Sequence, residues 1–356
     1  MTNQIALLKN VPLSQHTTIG LGGDAHSFVT CTTVEHIKEC LAYAKEQKLP
    51  LQVIGAGSNI IFPDTGYPGL VMKVGVQGVS IDDDNDGATI TAQAGEEWDA
   101  FVRLCIQRGC AGIECLSGIP GLVGATPIQN VGAYGQEVRE TIVALTALDR
   151  DTLEEVKFSG SECGFGYRQS RFKLGDADRY IITSVTFRLP KRGWSEIRYA
   201  ELRHYLESQN AMGKDGRPTL EAVRSTVLAL RKKKSMVLDP SDPNTRSVGS
   251  FFMNPVLTRE QFDTLDKLWK RAGKTDAIPT FTADKGVKVP AAWLMEKAGF
   301  HKGLRRGGVG ISANHALALV NYGGTTKELL SLASEIQDGV ESQFGIRLER
   351  EPVVVE

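Results

Sequence analysis

The chain has 356 residues, enough for two or three domains of ordinary size, and 41% of them are hydrophobic. Its 41 basic and 42 acidic residues give a formal net charge of −1, which argues against a dedicated nucleic-acid or membrane-surface protein, because such proteins carry a basic excess. No apolar stretch approaches the ~18 residues of a membrane span, and the first residues lack the basic and apolar regions of a signal peptide. We therefore expect a cytoplasmic protein that contacts neither nucleic acid nor membrane.

The first predicted elements are a helix capped by Thr32, three residues ahead of Glu35, and a buried strand at residues 51–54. A second helix is expected over residues 96–108, with Gly109 at its C-terminus. Residues 140–190 alternate between apolar and polar as strands do, and a domain boundary is expected between about 192 and 235. Further helices are predicted at 219–234, 258–272, 290–299 and 325–344, with capping boxes at Thr258/Gln261 and Thr325/Glu328.

The end of the chain is predicted to be a strand over residues 346–351, which would place Arg347, Glu349 and Glu351 on one face. Near the start, Asp82–Gly87 matches half of a calcium loop, but Gln93 stands where the bidentate glutamate belongs. A polar turn between two strands is the better interpretation.

The cysteines and histidines show no spacing typical of a metal site, since the sequence contains neither a CxxC pair nor an HxxxH pair. We expect the six cysteines to be reduced thiols, and we predict no bound metal.

Glycine is abundant, with 37 residues, and part of it is concentrated in two clusters. The first cluster, residues 55–59, directly follows the predicted strand, where backbone N–H groups can converge on a phosphate. Ile60 stands where a dinucleotide fingerprint needs its third glycine, and no Walker lysine follows. A tight turn between two apolar strands explains this cluster equally well.

The second cluster spans residues 117–135 and contains five glycines from Gly118 onward, interleaved with uncharged polar side chains. A long ordered loop of this kind is costly in backbone entropy, which is justified if the backbone wraps a large planar ligand. Two glycine-rich walls suit a flavin dinucleotide, with one wall for the pyrophosphate and the other for the ring and the ribityl chain.

Five segments resemble the UDP-N-acetylenolpyruvoylglucosamine reductase family, namely residues 16–20, 55–59, 119–135, 163–170 and 249–255. The similarity is collinear over nearly the whole chain, and the third and fifth segments are its most specific parts. The resemblance implies an α+β protein with a two-subdomain FAD-binding fold of the vanillyl-alcohol-oxidase (PCMH) type and a smaller α+β substrate domain.

The resemblance also implies domain boundaries. We expect FAD-binding subdomain 1 at residues 1–75, subdomain 2 at 76–215 and the substrate domain at 216–345. The C-terminal strand, at 346–356, is a candidate to return to subdomain 1.

The implied activity is that of an oxidoreductase, a flavin reductase that converts UDP-GlcNAc-enolpyruvate to UDP-N-acetylmuramate for peptidoglycan synthesis. The resemblance implies non-covalent FAD, NADPH as the hydride donor, a monomer, and a nucleotide-sugar as the small-molecule partner. Oxidases of the wider fold often attach FAD through a histidine in the first glycine loop, and this chain has none there. Two alternatives stay open: another FAD-dependent sugar or alcohol oxidoreductase of the same fold, and a catalytically silent nucleotide-sugar-binding protein.

Hydride addition to the vinyl group builds negative charge beside a carboxylate, so the site needs a cation, an acid and a proton donor. The family motifs imply Arg168 as the cation, Ser250 as the proton donor and Glu351 as the second acid. The chain departs from the family's Leu-Glu-Pro-Glu-Val pattern at its end, which leaves Glu349 open as an alternative.

The resemblance implies cofactor contacts in both glycine clusters, at Gly55, Ala56, Gly57, Ser58, Asn59, Ile119, Pro120, Gly121, Gly124, Ala125, Thr126, Gln129, Asn130, Gly132, Ala133 and Tyr134. The implied substrate contacts are Tyr167, Tyr199, Lys234, Asn254 and Lys288. One branch of the family clamps the diphosphate with a tyrosine, and this chain has Phe281 in that stretch. Either the clamp is absent, or Phe281 closes the pocket without a hydrogen bond.

Overall fold

The computed structural model of the chain describes residues 6–281 and 285–356. Residues 1–5 lie outside the described part. The start of the predicted first subdomain therefore lies outside it, as does the start of the segment expected not to be a signal peptide.

The strands are β1 (Leu8–Pro12), β2 (Asp24–Cys31), β3 (Leu51–Ile54), β4 (Ile60–Ile61), β5 (Tyr67–Val74), β6 (Val79–Asp83), β7 (Gly87–Gln93), β8 (Gly132–Ala133), β9 (Gln136–Glu137), β10 (Ile142–Asp149), β11 (Glu155–Ser159), β12 (Tyr180–Pro190), β13 (Val256–Leu257), β14 (Val287–Lys288), β15 (Arg305–Arg306), β16 (Val309–Ile311), β17 (Leu319–Asn321) and β18 (Val353–Val354). The helices are α1 (Val34–Glu46), α2 (Trp98–Gln107), α3 (Ala200–Ser208), α4 (Leu220–Lys233), α5 (Arg259–Arg271), α6 (Ala291–Lys297) and α7 (Thr326–Phe344).

The chain divides into two compact units. Unit 1 contains Asp24–Gly57, Tyr67–Val237 and the chain up to Val11. Unit 2 contains Pro12–Gly23, Ser58–Gly66 and Leu238–Glu356. The three-part division expected from the sequence stays a prediction.

The first sheet of unit 1 has the strand order β1-β2-β5-β3, and β5 runs parallel to both β2 and β3. Helix α1 packs its buried face, which includes Ile37 and Leu41, into the same core as Leu70 and Met72 of β5. The predicted cap is wrong by one residue, because it is the Thr33 hydroxyl that accepts the His36 N–H.

The second sheet of unit 1 is antiparallel in the order β11-β10-β12-β7-β6. Helix α2 covers it, and Trp98 and Phe101 lie 6.1 and 5.0 Å from the ring of Phe187 on β12. The predicted polar turn between β6 and β7 is confirmed, since the Asp84 carboxylate accepts the N–H groups of Asp86 and Gly87. Helices α3 and α4 complete unit 1 around a small apolar cluster, and α3 is absent from the sequence-based expectation.

Unit 2 combines the antiparallel sheet β15-β16-β17 with helices α5, α6 and α7 around one apolar core. Both predicted capping boxes are confirmed, at Thr258/Gln261 for α5 and at Thr325/Glu328 for α7. Among the described residues, no helix combines the length and apolar character needed to cross a bilayer.

The predicted strand over residues 346–351 is wrong. Ile346 and Leu348 are buried in the core of unit 2, as their alternation suggested, but this stretch makes only one bridge, from Arg350 to Phe252. Regular pairing begins at β18, which runs parallel to β4. The alternation of buried and exposed residues arises because this segment packs against the core. It has no neighbouring strand long enough to form a ladder with it.

Candidate active site

The two glycine segments meet in unit 1. A Cβ placed on Gly55 would lie 3.6 Å from Leu122 Cδ1 and 3.8 Å from Ala125 Cβ. In the described part of the chain, the N–H groups of Ala56 and Gly57 donate to no protein group, and Gly57 is buried with φ of +69°. A buried N–H needs a partner, and anionic diphosphate oxygens suit successive N–H donors in such a loop. The loop therefore fits the pyrophosphate of a dinucleotide cofactor.

Ser58 and Asn59 continue this loop into unit 2. The Asn59 side-chain amide donates to the Glu351 carbonyl at 3.4 Å, and the Asn59 carbonyl accepts the Val353 N–H at 3.0 Å. This end of the loop is therefore anchored to the C-terminal segment.

Hydrogen bonds and close packing fix the start of the second segment. The Gly118 N–H donates to Asp99, whose carboxylate also accepts two bonds from Arg224. Burial acts to raise the pKa of Asp99, but these donors outweigh it and leave the pKa below its usual value. A Cβ on Gly124 would overlap Ala94, so this position requires glycine.

The middle of the second segment depends on Asn130, which has φ of +47° and is fully buried. Its side-chain amide donates to the Glu137 carboxylate at 2.8 Å and to the Gly166 carbonyl at 2.9 Å, while its amide oxygen accepts the Arg139 N–H. Asn130 is thus engaged with protein groups, which favours a positioning role over the implied contact with cofactor. Thr126 is similarly occupied, because its hydroxyl donates to the Val123 carbonyl.

Arg168 lies against the hairpin formed by β8 and β9. It occupies a tight turn closed by two hydrogen bonds between Gly166 and Gln169, and its φ is +56°. Its Nη2 donates to the Gly132 carbonyl at 2.8 Å, and a Cβ on Gly132 would come within 3.3 Å of its Nη1. The guanidinium also lies 5.4 Å from the ring of Tyr167. Gly132 was implied as a cofactor contact, and the structure places it beside the implied catalytic cation.

Two implied substrate contacts gather around Tyr134. The Tyr199 ring packs edge-on against the Tyr134 ring at 5.6 Å, and Lys234 Nζ lies 5.9 Å from that ring. Burial raises the pKa of Tyr134 to about 12 and also raises the pKa of Tyr199. Lys234, the C-cap of α4, donates to both carboxylate oxygens of Glu201 at 3.0 and 2.9 Å.

Arg231, near the end of α4, is a cation that no sequence motif singled out. The residue is 7% exposed, and its Nη2 donates to the Met236 carbonyl. Its Nε has no hydrogen-bond partner within the described residues, and burial lowers its pKa. Its neighbours Lys232 and Lys233 are exposed, so the sequence offered no signal that this one cation is buried.

In unit 2, Ser250 lies beside the C-terminal segment. Gly249, with φ of +78°, precedes it, and the fully buried Phe251 follows it. The Phe251 carbonyl accepts the Glu351 N–H at 2.9 Å, whereas the Glu349 carbonyl accepts the Met253 N–H. Glu351 is thus nearer to Ser250 in this register and is partly buried, whereas Glu349 is exposed. Both observations favour Glu351 as the acid.

Asn254 and Lys288 also lie in unit 2. The Asn254 amide oxygen accepts the Ala291 N–H at the start of α6. Lys288 belongs to β14, and its carbonyl accepts the Phe281 N–H at 2.8 Å. Phe281, in the stretch where one branch of the family has a clamping tyrosine, is 42% exposed and pairs with this lysine.

The structure also shows a grouping that sequence spacing did not reveal. Cys31, His36 and Cys40 place their ligating atoms within 4.8 Å of one another. Structural zinc sites use four ligands, and this trio of described residues provides three. All six cysteines are buried free thiols.

Comparisons with known proteins first define the class of protein to which this chain belongs. Residues 25–154 match the family model described as FAD binding domain. The chain also shares its fold with the crystal structure titled UDP-N-acetylenolpyruvylglucosamine reductase from Thermus caldophilus, at a TM-score of 0.63, 24% identity and 99% coverage of both chains. This is a FAD-binding protein of mixed helices and strands, as the sequence predicted.

The comparisons then define the family. Residues 240–355 match the model described as UDP-N-acetylenolpyruvoylglucosamine reductase, C-terminal domain. Relatives with that name are 44% identical in Thermobifida fusca, covering 100% of this chain and 99% of theirs, and 41% identical in Mycobacterium tuberculosis, covering 97% and 94%. The chain belongs to the UDP-N-acetylenolpyruvoylglucosamine reductase family.

Proposed function

We propose that this protein reduces UDP-GlcNAc-enolpyruvate to UDP-N-acetylmuramate with Arg168, Ser250 and Glu351 as its catalytic residues. FAD, when bound, carries the hydride from NADPH to the terminal vinyl carbon, and the substrate takes up one proton to complete the reduction. The Ala56 and Gly57 N–H donors support binding of the cofactor diphosphate. We further propose that the enzyme is a cytoplasmic monomer. Light scattering of the purified protein tests its oligomeric state.

The observation that carries the proposal is the Arg168 turn. A non-glycine residue at φ of +56° is strained, and the bond to the Gly132 carbonyl holds the planar guanidinium in one orientation. A guanidinium held in this way is suited to a carboxylate, since its N–H groups match both oxygens. In this role, Arg168 stabilises the negative charge that develops as hydride reaches the neighbouring carbon.

Ser250 is the proposed donor of the proton to the α carbon. The buried Phe251 and Phe252 anchor the segment that carries it. Glu351 pairs through its backbone with Phe251, next to this serine. It is the proposed acid that stabilises the charge of the substrate carboxylate.

The test is anaerobic reduction of the holoenzyme by NADPH, followed by mixing with UDP-GlcNAc-enolpyruvate. We expect the flavin to reoxidise and UDP-N-acetylmuramate to form. Failure of the substrate to reoxidise the flavin would overturn the proposal, and reoxidation by simple sugars or alcohols would support the other oxidoreductase class instead.

Variants assign the residues. Arg168→Ala and Ser250→Ala should each slow substrate-driven reoxidation by roughly 100-fold or more, as expected for loss of electrostatic stabilisation or of an acid catalyst. Glu351→Gln should slow the reaction while the matched Glu349→Gln leaves it near the wild-type rate. The opposite result for these two variants would assign the acid to Glu349.

A further inference from the structure

Glu114 is a buried acid that no described cation pairs with. It opens the short 3-10 turn Glu114–Leu116, its exposed fraction is 0%, and no Lys, Arg or His forms a salt bridge with it in the described part of the chain. Burying a carboxylate is costly unless its oxygens are hydrogen-bonded. A carboxylate buried to this depth therefore calls for a specific role.

The contacts of Glu114 use both oxygens as acceptors. Oε2 accepts the Gly112 N–H at 2.6 Å, and Oε1 accepts the Gln136 amide at 2.9 Å together with the Ser195 hydroxyl. The Gln136 amide has a fixed orientation, because its own oxygen accepts the Cys115 N–H at 2.8 Å. Neither the Gly112 N–H nor the Gln136 amide group can therefore turn to accept a hydrogen bond. The surroundings require a group that only accepts, which a carboxylate provides and a carboxamide does not.

Gln136 connects this acid to the hairpin that holds the proposed catalytic arginine. It lies in β9, opposite Ala133 of β8, and the next pair in the register joins Gly132 to Glu137. The Gly132 carbonyl accepts the hydrogen bond from Arg168 at 2.8 Å. A continuous series of contacts thus runs from Glu114 through Gln136 and the hairpin to the guanidinium.

The hairpin needs this anchor because its backbone is strained. Asn130 and Tyr134 have φ of +47° and +49° without being glycine, a conformation that persists only when surrounding contacts enforce it. Because β8 and β9 contain two residues each, their own ladder is too short to supply that enforcement.

We propose that Glu114 is a positioning residue for Arg168, acting through Gln136 to fix the β8–β9 hairpin whose Gly132 carbonyl orients the guanidinium. This inference rests on the proposed function, since it assumes that Arg168 stabilises charge on the substrate. A displacement of about 1 Å in a catalytic group lowers rates by about 100-fold. The expected effect therefore falls on kcat and leaves cofactor binding unchanged.

The test measures single-turnover reoxidation of NADPH-reduced holoenzyme by UDP-GlcNAc-enolpyruvate. Glu114→Gln should lower the rate by about 100-fold with FAD content and the substrate KM near wild type. The double variant Glu114→Gln with Gln136→Glu exchanges the two side chains. The new amide at 114 can then donate to the new carboxylate at 136, while its oxygen still accepts the Gly112 N–H, so most of the rate should be recovered. The matched control is Asp149→Asn, a buried acid of the same unit on β10 that bonds to Arg179 and lies off this hairpin, and it should leave the rate unchanged.

Dependence on Arg168 separates positioning from a general structural role. In an Arg168→Ala background, Glu114→Gln should cause little further loss, because the group that it orients is gone. Should Glu114→Gln fold poorly, Gln136→Met cuts the same connection while leaving the other two contacts of Glu114, and it should show the same dependence.

Two results would overturn the positioning role alone, given a wild-type enzyme that reacts: an unchanged rate in Glu114→Gln and Gln136→Met, or an equal loss with and without Arg168. A wild-type holoenzyme that fails to react would instead overturn the proposed function and this role with it.

Discussion

The two glycine segments are built alike in composition but differ in how their polar groups are used. In the first, the N–H groups of Ala56 and Gly57 donate to no other group among the residues described. In the second, Gly118 and Asn130 bond to protein partners, and Gly132 accepts from Arg168. Glycine in the first segment leaves backbone donors available for a ligand, whereas glycine in the second permits close packing that positions side chains.

The largest effect should come from filling the tightest contact of the second segment. Gly124→Val would force a side chain into the buried Ala94, and we expect a loss of about 3 kcal/mol in the free energy of unfolding. Urea denaturation measures it. The control is Gly175→Ala, where a Cβ meets nothing within 4 Å, and a similar loss in both variants would contradict close packing as the cause.

Asn130→Asp should have the next largest effect. It removes the two N–H donors that bond to Glu137 and Gly166 and brings a carboxylate toward acceptors, so we expect a loss of about 2 kcal/mol in stability. Asn210 is the matched control, since it also has positive φ but is exposed. Equal denaturation midpoints for Asn130→Asp and Asn210→Asp would show that the buried bonds contribute little.

A smaller effect is expected in the first segment. Gly57→Ala adds a Cβ at φ of +69°, which costs about 1–2 kcal/mol, and displacement of the loop N–H groups should weaken FAD binding by roughly tenfold. Recovery of flavin fluorescence on dilution measures the affinity. Gly216→Ala introduces the same strain at φ of +76° in open space, and a comparable loss of FAD there would refute a specific cofactor contact.

The smallest effect concerns Tyr134, whose pKa is raised by burial to about 12. An unfolded tyrosine loses its proton near pH 10, so between about pH 10 and 12 the native state binds more protons than the unfolded state. Stability should therefore fall as pH rises through this window. An absorbance titration of tyrosinate should show a late-titrating component that is smaller by one group in Tyr134→Phe, and an unchanged titration would contradict its burial.

The sequence predicted what depends on local patterns. The capping boxes at Thr258 and Thr325 are confirmed because each involves residues three apart. It placed the cap of α1 at Thr32 instead of Thr33, since adjacent hydroxyls fit nearly the same pattern. It also mistook the alternation before Arg350 for a strand, because burial alternates in any extended segment packed on a core.

The site was predictable only where residues carry family motifs. Arg168, Ser250 and Glu351 follow from resemblance, but the left-handed turn at Arg168 has no local signature. Glu114 escaped notice because its partners Gln136 and Ser195 are 22 and 81 residues away. An acid amid the apolar residues around Ile113 and Leu116 was the one available signal.

The most direct test of the difference between the segments compares Gly57→Ala with Gly132→Ala. A Cβ on Gly132 would lie 2.7 Å from Glu137 Cγ and 3.3 Å from Arg168 Nη1. FAD retention and the kcat of the FAD-loaded enzyme are measured for both variants. We predict that Gly57→Ala loses FAD but turns over normally once loaded, while Gly132→Ala retains FAD and loses about 100-fold in kcat. The reverse pattern, or equal losses in both quantities, would contradict this division between a cofactor-binding loop and an arginine-positioning hairpin.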